Sequence, residues 1–352
     1  MQEQIVYDLN HDRNNFEIHK NVKSILMYGD RKNRDIFISF VIPTVDRIDM
    51  LKETVNSILS QRKEFEYEII IVDNSTNLTD SNMTYRYVKQ LNNANVLLYV
   101  NEKNIGQAGN WNRGFELARG KYISLIHDDD LLCNVYTTEI RKCITNAKKK
   151  KRKLGIIKVR YKNFHSIDDL KELSNNERGG IRKYRMIDSV VVDGIGPTSC
   201  PTCGIIFLKD AVIKVGGFDE RFYPSFDYIL GFKILKEGYA VYTTEDELGY
   251  YRISVNESMK GDNFKRFCIV DYCFREYMYS LSLWTSICGF MFRKVQYWDN
   301  LNNIHNYALE FGKEIPIEEL ECADIEKNSH ITKLIYRIIK KIVVVTNKRV
   351  IK

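Results

Sequence analysis

The sequence lacks both of the glycine-rich phosphate-binding motifs that would indicate a dehydrogenase or an NTPase. No GxGxxG follows the first predicted strand, and no P-loop occurs in the chain. The chain also lacks zinc-finger spacing and any nucleic-acid recognition motif. Its CxxC pair, Cys200 and Cys203, has no second half for a zinc site, so we expect two structural thiols. Nucleic acid is therefore not an expected partner.

A secretory leader and a membrane-spanning run are missing as well. The first residues, MQEQIVYDLN, carry neither a basic segment nor an apolar core. We therefore expect a cytoplasmic protein whose eight cysteines stay reduced. The longest uncharged run, Tyr277–Phe292, is shorter than the roughly 17 to 25 residues that a transmembrane helix needs. We predict a buried helix for this run instead.

Acidic residues are missing from the C-terminal tail, although the chain of 352 residues has a net charge of only +7. No Asp or Glu occurs from Lys327 to Lys352. At helical spacing this tail has an apolar face, made of Ile331, Leu334, Ile335, Ile338, Ile339 and Ile342, and a basic face, made of Lys333, Arg337, Lys340 and Lys341. Such a helix suits the plane of an anionic membrane, and we predict that it docks there. A helix packed on the protein's own core is the alternative.

Strands and helices alternate through the first half of the chain. Apolar runs that predict buried strands are Ile36–Thr44, Tyr67–Val72, Val96–Val100 and Tyr122–Asp128. Helical spacing separates them, at Leu51–Leu59 and again at Trp111–Ala118. This alternation predicts an α/β fold with a mostly parallel central sheet flanked by helices, and a ligand crevice at the carboxyl ends of the strands. Aromatic-rich helices are predicted to follow at 264–295 and 303–311, as a helical C-terminal extension.

Polar residues gather where these strands end. The four clusters are Thr44 with Asp46, Asp73 with Asn74, Asn101 with Asn104, and Asp128 to Asp130. The carboxyl ends of parallel strands meet at one edge of a sheet, so four such clusters predict a single site.

The cluster Asp128, Asp129 and Asp130 places three carboxylates side by side. Adjacent carboxylates repel one another and raise each other's pKa unless a cation or hydrogen-bond donors offset them. A hard divalent ion with oxygen ligands is the usual solution. The alternative is the start of a helix at Leu131, where the backbone dipole favours acidic residues.

Four segments carry a resemblance to a known family. FVIPT, IIIVDNS, NIGQAGNWNRGFELARGKYISLIHDDD and GGFDERFYPSFDYILGFKILKEGY follow one another in an order and spacing that resemble the GT-A-fold glycosyltransferases of family two. The resemblance covers residues 37–252. It implies a Rossmann-like GT-A domain and an inverting enzyme that takes sugars from nucleotide diphosphate donors, with a UDP-sugar the expected donor.

The resemblance assigns roles to residues at the strand ends. Thr44, Asp46 and Arg47 match the loop that lines the nucleotide pocket, and Asp73 matches the aspartate that contacts the base. The positions that approach the nucleotide and diphosphate are Asn104, Gly106 and Asn112. The chain departs from the family pattern at Trp111, where an arginine is usual, so a direct cation on the diphosphate is not expected from that position.

At the acidic cluster the family spacing places a D-x-D pair at His127 and Asp129, with the first aspartate replaced. The other register, Asp128-x-Asp130, would put two carboxylates on one face of a continued strand. The resemblance implies Asp129 and Asp130 as ligands of Mn²⁺ or Mg²⁺ and Asp128 as a contact to the donor. Ser254 stands where some members have a metal-binding histidine, so loss of metal dependence stays open.

The general base implied by the resemblance is Asp227, which follows Phe226 in place of the usual Glu-Asp pair. A carboxylate that takes the proton of an acceptor hydroxyl would contribute about 10²- to 10⁴-fold to the rate. The alternative role for Asp227 is a helix N-cap.

Four regions are predicted: an N-terminal extension (1–35), the GT-A domain (36–255), a helical region (256–327) and the basic amphipathic tail (328–352). The predicted function is transfer of a sugar to a glycan acceptor, lipid-linked and part of surface polysaccharide assembly, at the inner face of the cell membrane. One alternative is a sugar nucleotidylyltransferase, although the Gly-rich first loop of that class is missing. The other is a non-catalytic relative that binds nucleotide sugar or membrane.

Overall fold

The computed structural model describes residues 9, 13–31, 34–149, 153–174, 184–187, 202–253, 262–310, 312–327, 331, 333–338 and 341. The predicted CxxC pair lies partly outside these residues, because Cys200 is not among them. Ser254 and most of the predicted tail also lie outside them.

One sheet of ten strands organises the described part of the chain. Its strands are β1 (Ser24–Tyr28), β2 (Ile38–Thr44), β3 (Tyr67–Asp73), β4 (Val96–Asn101), β5 (Tyr122–Leu125), β6 (Leu131–Leu132), β7 (Leu154–Phe164), β8 (Tyr184–Ile187), β9 (Ile205–Leu208) and β10 (Ala240–Arg252). They lie in the order β1-β4-β3-β2-β5-β9-β7-β10-β6, and β8 pairs with β10.

Helices flank this sheet and extend beyond it. They are α1 (Ile48–Leu59), α2 (Met83–Leu91), α3 (Gly106–Leu117), α4 (Tyr136–Lys148), α5 (Ile167–Ser174), α6 (Lys209–Lys214), α7 (Phe226–Lys236), α8 (Asn263–Ser280), α9 (Leu283–Glu310) and α10 (Ile317–Leu320). The α/β class with a central sheet, flanking helices and a helical C-terminal extension is thus confirmed.

The first half of the sheet is parallel, as the alternating pattern predicts. Strands β4, β3, β2 and β5 pair in parallel, and every residue of the first three is buried. Runs of Val and Ile buried on both faces are typical of such strands. Thr44 pairs with Asp73 in register, so both strands end at the same edge. Strand β1, from the predicted extension, adds an antiparallel edge beside β4.

The second half of the sheet is mixed. Strand β9 runs antiparallel to both β5 and β7, while β7 and β10 pair in parallel. The short strand β6, directly after the acidic cluster, pairs antiparallel with β10. Leu131 therefore begins a strand, and the alternative of a helix starting there is wrong.

The C-terminal helices pack on the sheet domain through aromatic side chains. Phe274 of α8 contacts Phe232 and Tyr228 of α7, with ring centroids 4.8 and 4.7 Å apart. The predicted buried helix at Tyr277–Phe292 is wrong. That run crosses the turn between α8 and α9, and Phe290 within it is 93% exposed.

Within the described residues, no helix has the length and apolar character needed to cross a membrane. The tail is helical at 333–338, and its Tyr336 packs against Phe292 and Val295 of α9. The predicted apolar face of the tail does not pack on the described core, because Ile331 is 72% and Leu334 is 60% exposed. The described tail thus contacts α9 through Tyr336, while these two residues of its predicted apolar face are exposed.

Candidate active site

A cavity of about 850 Å³ opens at the carboxyl ends of the parallel strands. Seven of the residues predicted for the site line it, namely Thr44, Arg47, Asn104, Gly106, Asp128, Asp129 and Asp227. The other four, Asp46, Asp73, Asn112 and Asp130, are not among the residues that line it. The sheet thus brings together side chains that lie up to about half the chain apart in sequence.

The loop after β5 is fixed to the loop after β2. The hydroxyl of Thr44 donates a hydrogen bond to Asp128 Oδ2 at 2.7 Å. The guanidinium of Arg47 lies 2.9 Å from Asp129 Oδ2 and 3.4 Å from Asp128 Oδ1. Between Thr44 and Arg47, Asp46 has a left-handed backbone (φ 52°) and an exposed side chain. The turn at Asp46 thereby directs Arg47 toward the carboxylates.

The carboxylates of the cluster differ in their surroundings. Burial raises the pKa of Asp128 to about 6, against the opposing hydrogen bond from Thr44. Burial, with the charge of Asp129 next, raises the pKa of Asp130 well above its ordinary value. The cluster therefore carries less negative charge than three free aspartates would. A bound cation would lower these pKa values and restore the negative charge.

Asp130 points away from the cavity toward β10. Its Oδ1 accepts the backbone N–H of Arg252 at 3.1 Å, and the Arg252 side chain donates to the carbonyl of Asp129 at 2.9 Å. The other oxygen, Asp130 Oδ2, is buried and has no hydrogen-bond partner among the described residues. A buried carboxylate oxygen without a partner is costly, so this atom is suited to a cation.

His127 stands between this orphaned oxygen and the cavity. Its Nδ1 lies 3.7 Å from Asp130 Oδ2, and its Nε2 lies 2.7 Å from the hydroxyl of Thr202. Burial lowers the pKa of His127, so the ring is neutral near pH 7, the form that ligates metals. Ligand atoms of His127, Asp129 and Asp130 lie within 4.8 Å of one another. This group can hold a divalent cation, through one nitrogen and two oxygens.

Trp111 forms part of the cavity wall beside His127. The two rings are 5.0 Å apart between centroids and tilted by 33°. Phe218 and Phe226 pack edge-on against the indole at 5.1 and 4.8 Å. The indole thus occupies the place where the family pattern has an arginine, and it holds the imidazole in a fixed orientation.

A chain of asparagine side chains joins the loops after β3 and β4. Asn74 donates to Asn104 Oδ1 at 2.9 Å and accepts from the side chain of Asn101 at 3.0 Å. Asn104 Oδ1 also accepts the backbone N–H of Gly106, where α3 begins. Gly106 has a φ of 71°, and no atom lies within 4 Å of the position of a Cβ there. The start of α3 is therefore fixed in place and open to a ligand.

Asp73 is buried behind this loop and holds a turn. Its two oxygens accept hydrogen bonds from the backbone N–H of Ser75 at 2.8 Å and from the side chain of Asn82 at 2.9 Å. Only 1% of the residue is exposed. The structure therefore does not bring its carboxylate into the cavity, where the resemblance to the family implied a contact with the base.

Asn112 is also turned away from the cavity. Its amide donates to the carbonyl of Phe218 and accepts the N–H of the same residue, both at 2.8 Å. A Cβ on Gly217 would lie 2.4 Å from Asn112 Oδ1, so this turn and α3 are in close contact. The described position makes Asn112 a support of the turn before α7, where the resemblance implied a contact with the diphosphate.

Asp227 lies in the first turn of α7 and lines the cavity. Its Oδ1 accepts the backbone N–H of Tyr228, the next residue, at 2.8 Å. The N-cap position belongs to Ser225, so the alternative role of Asp227 as N-cap is wrong. Burial raises the pKa of Asp227 to about 6, although the hydrogen bond from Tyr228 opposes the shift. The group is thus a carboxylate at pH 7 and a stronger base than an ordinary aspartate.

Sequence reasoning missed the part of the cavity wall that α8 and α9 provide. Its members are Phe267, Asp271, Asn300, Asn303, Ile304 and Tyr307. On α9 these residues recur at helical spacing, which is the signal that could have shown a common face. Nothing in the sequence indicated that this face would meet the strand ends.

Residues 39–211 match the family model for Glycosyl transferase family 2. An uncharacterized glycosyltransferase of Methanocaldococcus jannaschii is 24% identical over 275 residues, which cover 71% of this chain and 88% of that protein. Chondroitin synthase of Pasteurella multocida is 23% identical over 68% of this chain, a match that covers 27% of that protein.

Among solved structures, a mannosyltransferase from Pyrobaculum calidifontis, in complex with GDP-Man and Mn²⁺, is similar in fold. The TM-score is 0.52 at 13% identity, covering 90% of this chain and 89% of the other. The family model covers the parallel strands, the acidic cluster and β9, and the solved structure shares the fold. The protein is thus a glycosyltransferase that carries a family 2 domain of the GT-A fold.

Proposed function

We propose that the protein is an inverting glycosyltransferase that moves a hexosyl or N-acetylhexosaminyl group from a nucleoside diphosphate sugar to a glycan hydroxyl. A UDP-sugar is the donor we test first. The observation that carries the proposal is that Asp129 and Asp227 line one cavity, together with Arg47. This reaction needs two groups: an acidic cluster that holds a cation at the diphosphate, and a separate carboxylate of raised pKa that takes the proton of the acceptor.

Asp227 acts as the general base. Its carboxylate takes the proton of the acceptor hydroxyl while that oxygen forms a bond to C1 of the donor sugar. The bond from C1 to the phosphate oxygen breaks, and the nucleoside diphosphate leaves with the electron pair. Attack from the face opposite the leaving group inverts C1. A base positioned in this way contributes about 10²- to 10⁴-fold to the rate.

The donor lies along the strand ends. Thr44 and Arg47 line the nucleotide side, Asp46 shapes the turn between them, and Asp73 supports the loop behind it. The guanidinium of Arg47, now shared by Asp128 and Asp129, is the cation that meets the diphosphate, since the usual arginine is replaced by Trp111. The proposed donor-binding residues also include Asn104, Gly106, Asn112 and Asp128, of which Asn112 acts through the turn at Phe218.

Mn²⁺ or Mg²⁺ is the cation we propose for the cluster, with Asp129 as its principal ligand and Asp130 and His127 behind it. The similar mannosyltransferase binds GDP-Man and Mn²⁺. A bound divalent ion neutralises the charge that grows on the departing diphosphate. The orphaned Oδ2 of Asp130 is the observation that supports a cation here.

The acceptor we propose is a lipid-linked glycan of surface polysaccharide assembly, met at the inner face of the membrane. The match to a chondroitin synthase supports a polysaccharide role. The apolar side chains exposed on the tail and at the start of α9 support membrane docking; they are Leu283, Ile287, Phe290, Met291, Ile331, Leu334, Ile335 and Ile338. The acid-free tail favours an anionic surface over a neutral one. In this proposal residues 36–255 carry out catalysis and residues 256–327 complete the cavity. Residues 328–352 dock on the membrane.

Release of nucleoside diphosphate from a panel of UDP- and GDP-sugars, measured with Mn²⁺, tests the proposal. We expect turnover by the parent and a loss of about 10²-fold or more in Asp227→Asn, with nucleotide affinity unchanged. Asp49→Asn, a change on the exposed start of α1, is the control and should keep full activity. Nucleotide binding without turnover across the panel would support a non-catalytic binding protein instead.

A further inference from the structure

The helices α8 and α9 each turn one face toward the cavity that holds Asp227. On α9 that face carries two asparagines, an isoleucine and a tyrosine at positions 300, 303, 304 and 307, one side of a helix over two turns. On α8 it carries Phe267 and Asp271, one turn apart. We name these six residues the helical wall.

The two asparagines of the helical wall are free to meet a ligand. The side-chain amides of Asn300 and Asn303 make no hydrogen bond within the described part of the chain. Asn300 is half-buried and Asn303 exposed, so the two amides run from the interior of the cavity to its rim. Asp271 is held in place by two hydrogen bonds from Arg275, at 2.7 and 3.0 Å. The wall therefore presents amide donors and acceptors beside a fixed carboxylate.

The side chains of the helical wall favour a neutral, hydroxyl-rich ligand. Among the described residues that line the cavity, Arg47 is the one arginine or lysine, and it lies at the acidic cluster. A phosphate or carboxylate would find no lining arginine or lysine at the wall, and the charge of Asp271 is already offset by Arg275. Amides, which both donate and accept, match neighbouring sugar hydroxyls. The rings of Phe267 and Tyr307 offer apolar surface to the C–H face of a pyranose.

We propose that the helical wall binds the acceptor glycan, as a neutral oligosaccharide whose terminal sugar reaches Asp227 and whose next sugars lie along α9. This inference rests on the proposed transferase function and adds the class of acceptor. The exposed position of Asn303 marks where the glycan chain leaves the cavity.

Asn303→Leu tests the wall, and Asn306→Leu is its matched control. Both asparagines are exposed on α9, but Asn306 is not among the residues that line the cavity. The probe is a set of short neutral oligosaccharides of glucose, galactose, mannose and N-acetylglucosamine, detected by saturation-transfer NMR. We expect binding by the parent and by Asn306→Leu, and about fivefold weaker binding by Asn303→Leu, the effect of losing one hydrogen bond.

Equal affinity of the parent and Asn303→Leu would overturn the inference, and so would the absence of saturation transfer from the parent to any oligosaccharide of the set. Titration of the same proteins with UDP and GDP in the presence of Mn²⁺ separates this result from the proposed function. If the parent, Asn303→Leu and Asn306→Leu all bind nucleotide, and Asn303→Leu does not weaken oligosaccharide binding, the glycan site at the helical wall is refuted. The proposed transferase function is then unaffected. A parent that binds oligosaccharides through Asn303 but no nucleotide refutes the donor assignment and leaves the wall as a glycan site.

Discussion

The acidic residues around the cavity differ in what surrounds them, and this difference separates their roles. Asp129 lies on the cavity side with Arg47 at 2.9 Å, where it can meet a cation and a diphosphate. Asp130 lies behind it, held by the backbone of Arg252. The positive charge of Lys158 lowers the pKa of Asp227 only weakly. Burial therefore dominates and raises this pKa to about 6. These surroundings support the proposed roles of Asp129 as principal metal ligand, Asp130 as the ligand behind it and Asp227 as base.

The raised pKa of Asp227 predicts how the reaction depends on pH. The base works as a carboxylate, so kcat/KM should fall about tenfold for each pH unit below about 6 and level off above about 7. Asp128 titrates in the same range, and its protonation would weaken donor binding. The nucleotide dissociation constant, measured over the same pH range, separates the two effects. A kcat/KM that stays flat down to about pH 4, the ordinary range of an aspartate, would contradict the assignment.

At the residue scale, the sequence could predict side chains that follow strands directly. Thr44, Asp128 and Asp129 stand at strand ends, and parallel pairing alone brings them together. The places of Asp73 and Asn112 could not be predicted in this way. Their hydrogen-bond partners, Asn82 and Phe218, belong to other segments whose approach depends on the packed tertiary structure.

At the scale of elements, the turn before α7 decides where Asp227 stands. Gly216 and Gly217 have φ angles of 79° and 75°, a conformation that residues with a Cβ rarely adopt. Asn112 of α3 clamps this turn through both polar groups of Phe218, a residue with no exposed surface. Helix α3 therefore connects the proposed donor side of the cavity to the proposed base.

Asn112→Leu removes this clamp and keeps the branched shape of the side chain. It leaves the N–H and carbonyl of Phe218 buried without partners, at a cost of roughly 1 to 3 kcal/mol for each group. Urea unfolding should therefore show a large loss of unfolding free energy, and kcat should fall because the base is no longer held in place. Asn306→Leu, on the exposed surface of α9, should stay within about 0.5 kcal/mol of the parent. A stability of Asn112→Leu equal to that of this control would show that the clamp has no effect.

The elements of the parallel half could be predicted because local patterns suffice for them. Each strand is a short run of β-branched residues, and each helix between strands has its own periodicity. The antiparallel placement of β9 between β5 and β7 could not be predicted from local patterns. It pairs Ile205–Leu208 with strands some fifty to eighty positions away in sequence. The exposure of Phe290 was missed because an apolar run alone does not indicate whether another surface covers it.

At the scale of the whole molecule, the chain has two exposed apolar helix faces that meet. The tail contacts α9 through Tyr336 and Phe292, whose ring centroids are 5.6 Å apart. Phe290 on α9 and Leu334 on the tail, each two residues before a member of that contact, are exposed. Together they form the surface that we propose docks on an anionic membrane, which would bring the cavity close to a lipid-linked acceptor.

Vesicle sedimentation tests this surface. Deletion of residues 329–352 should abolish binding to phosphatidylglycerol vesicles. Phe290→Ser should weaken it about 10- to 100-fold, since burying a phenylalanine side chain contributes roughly 1.5 to 3 kcal/mol. Leu309→Ser, at the other end of α9 and also exposed, is the matched control and should bind like the parent. Equal binding of Phe290→Ser and the control would refute docking through this surface, and equal binding to neutral phosphatidylcholine vesicles would refute its preference for an anionic membrane.

The central claim is that distant loops meet in one cavity where carboxylates hold a cation against a diphosphate, with the base nearby. Crystals soaked with Mn²⁺ and either UDP or GDP test it most directly, through the anomalous signal of manganese. We expect a manganese peak bonded to Asp129 and to the diphosphate, in the cavity that Asp227 lines, and no peak in Asp129→Asn. A nucleotide bound elsewhere, or a manganese peak away from Asp129, would contradict it.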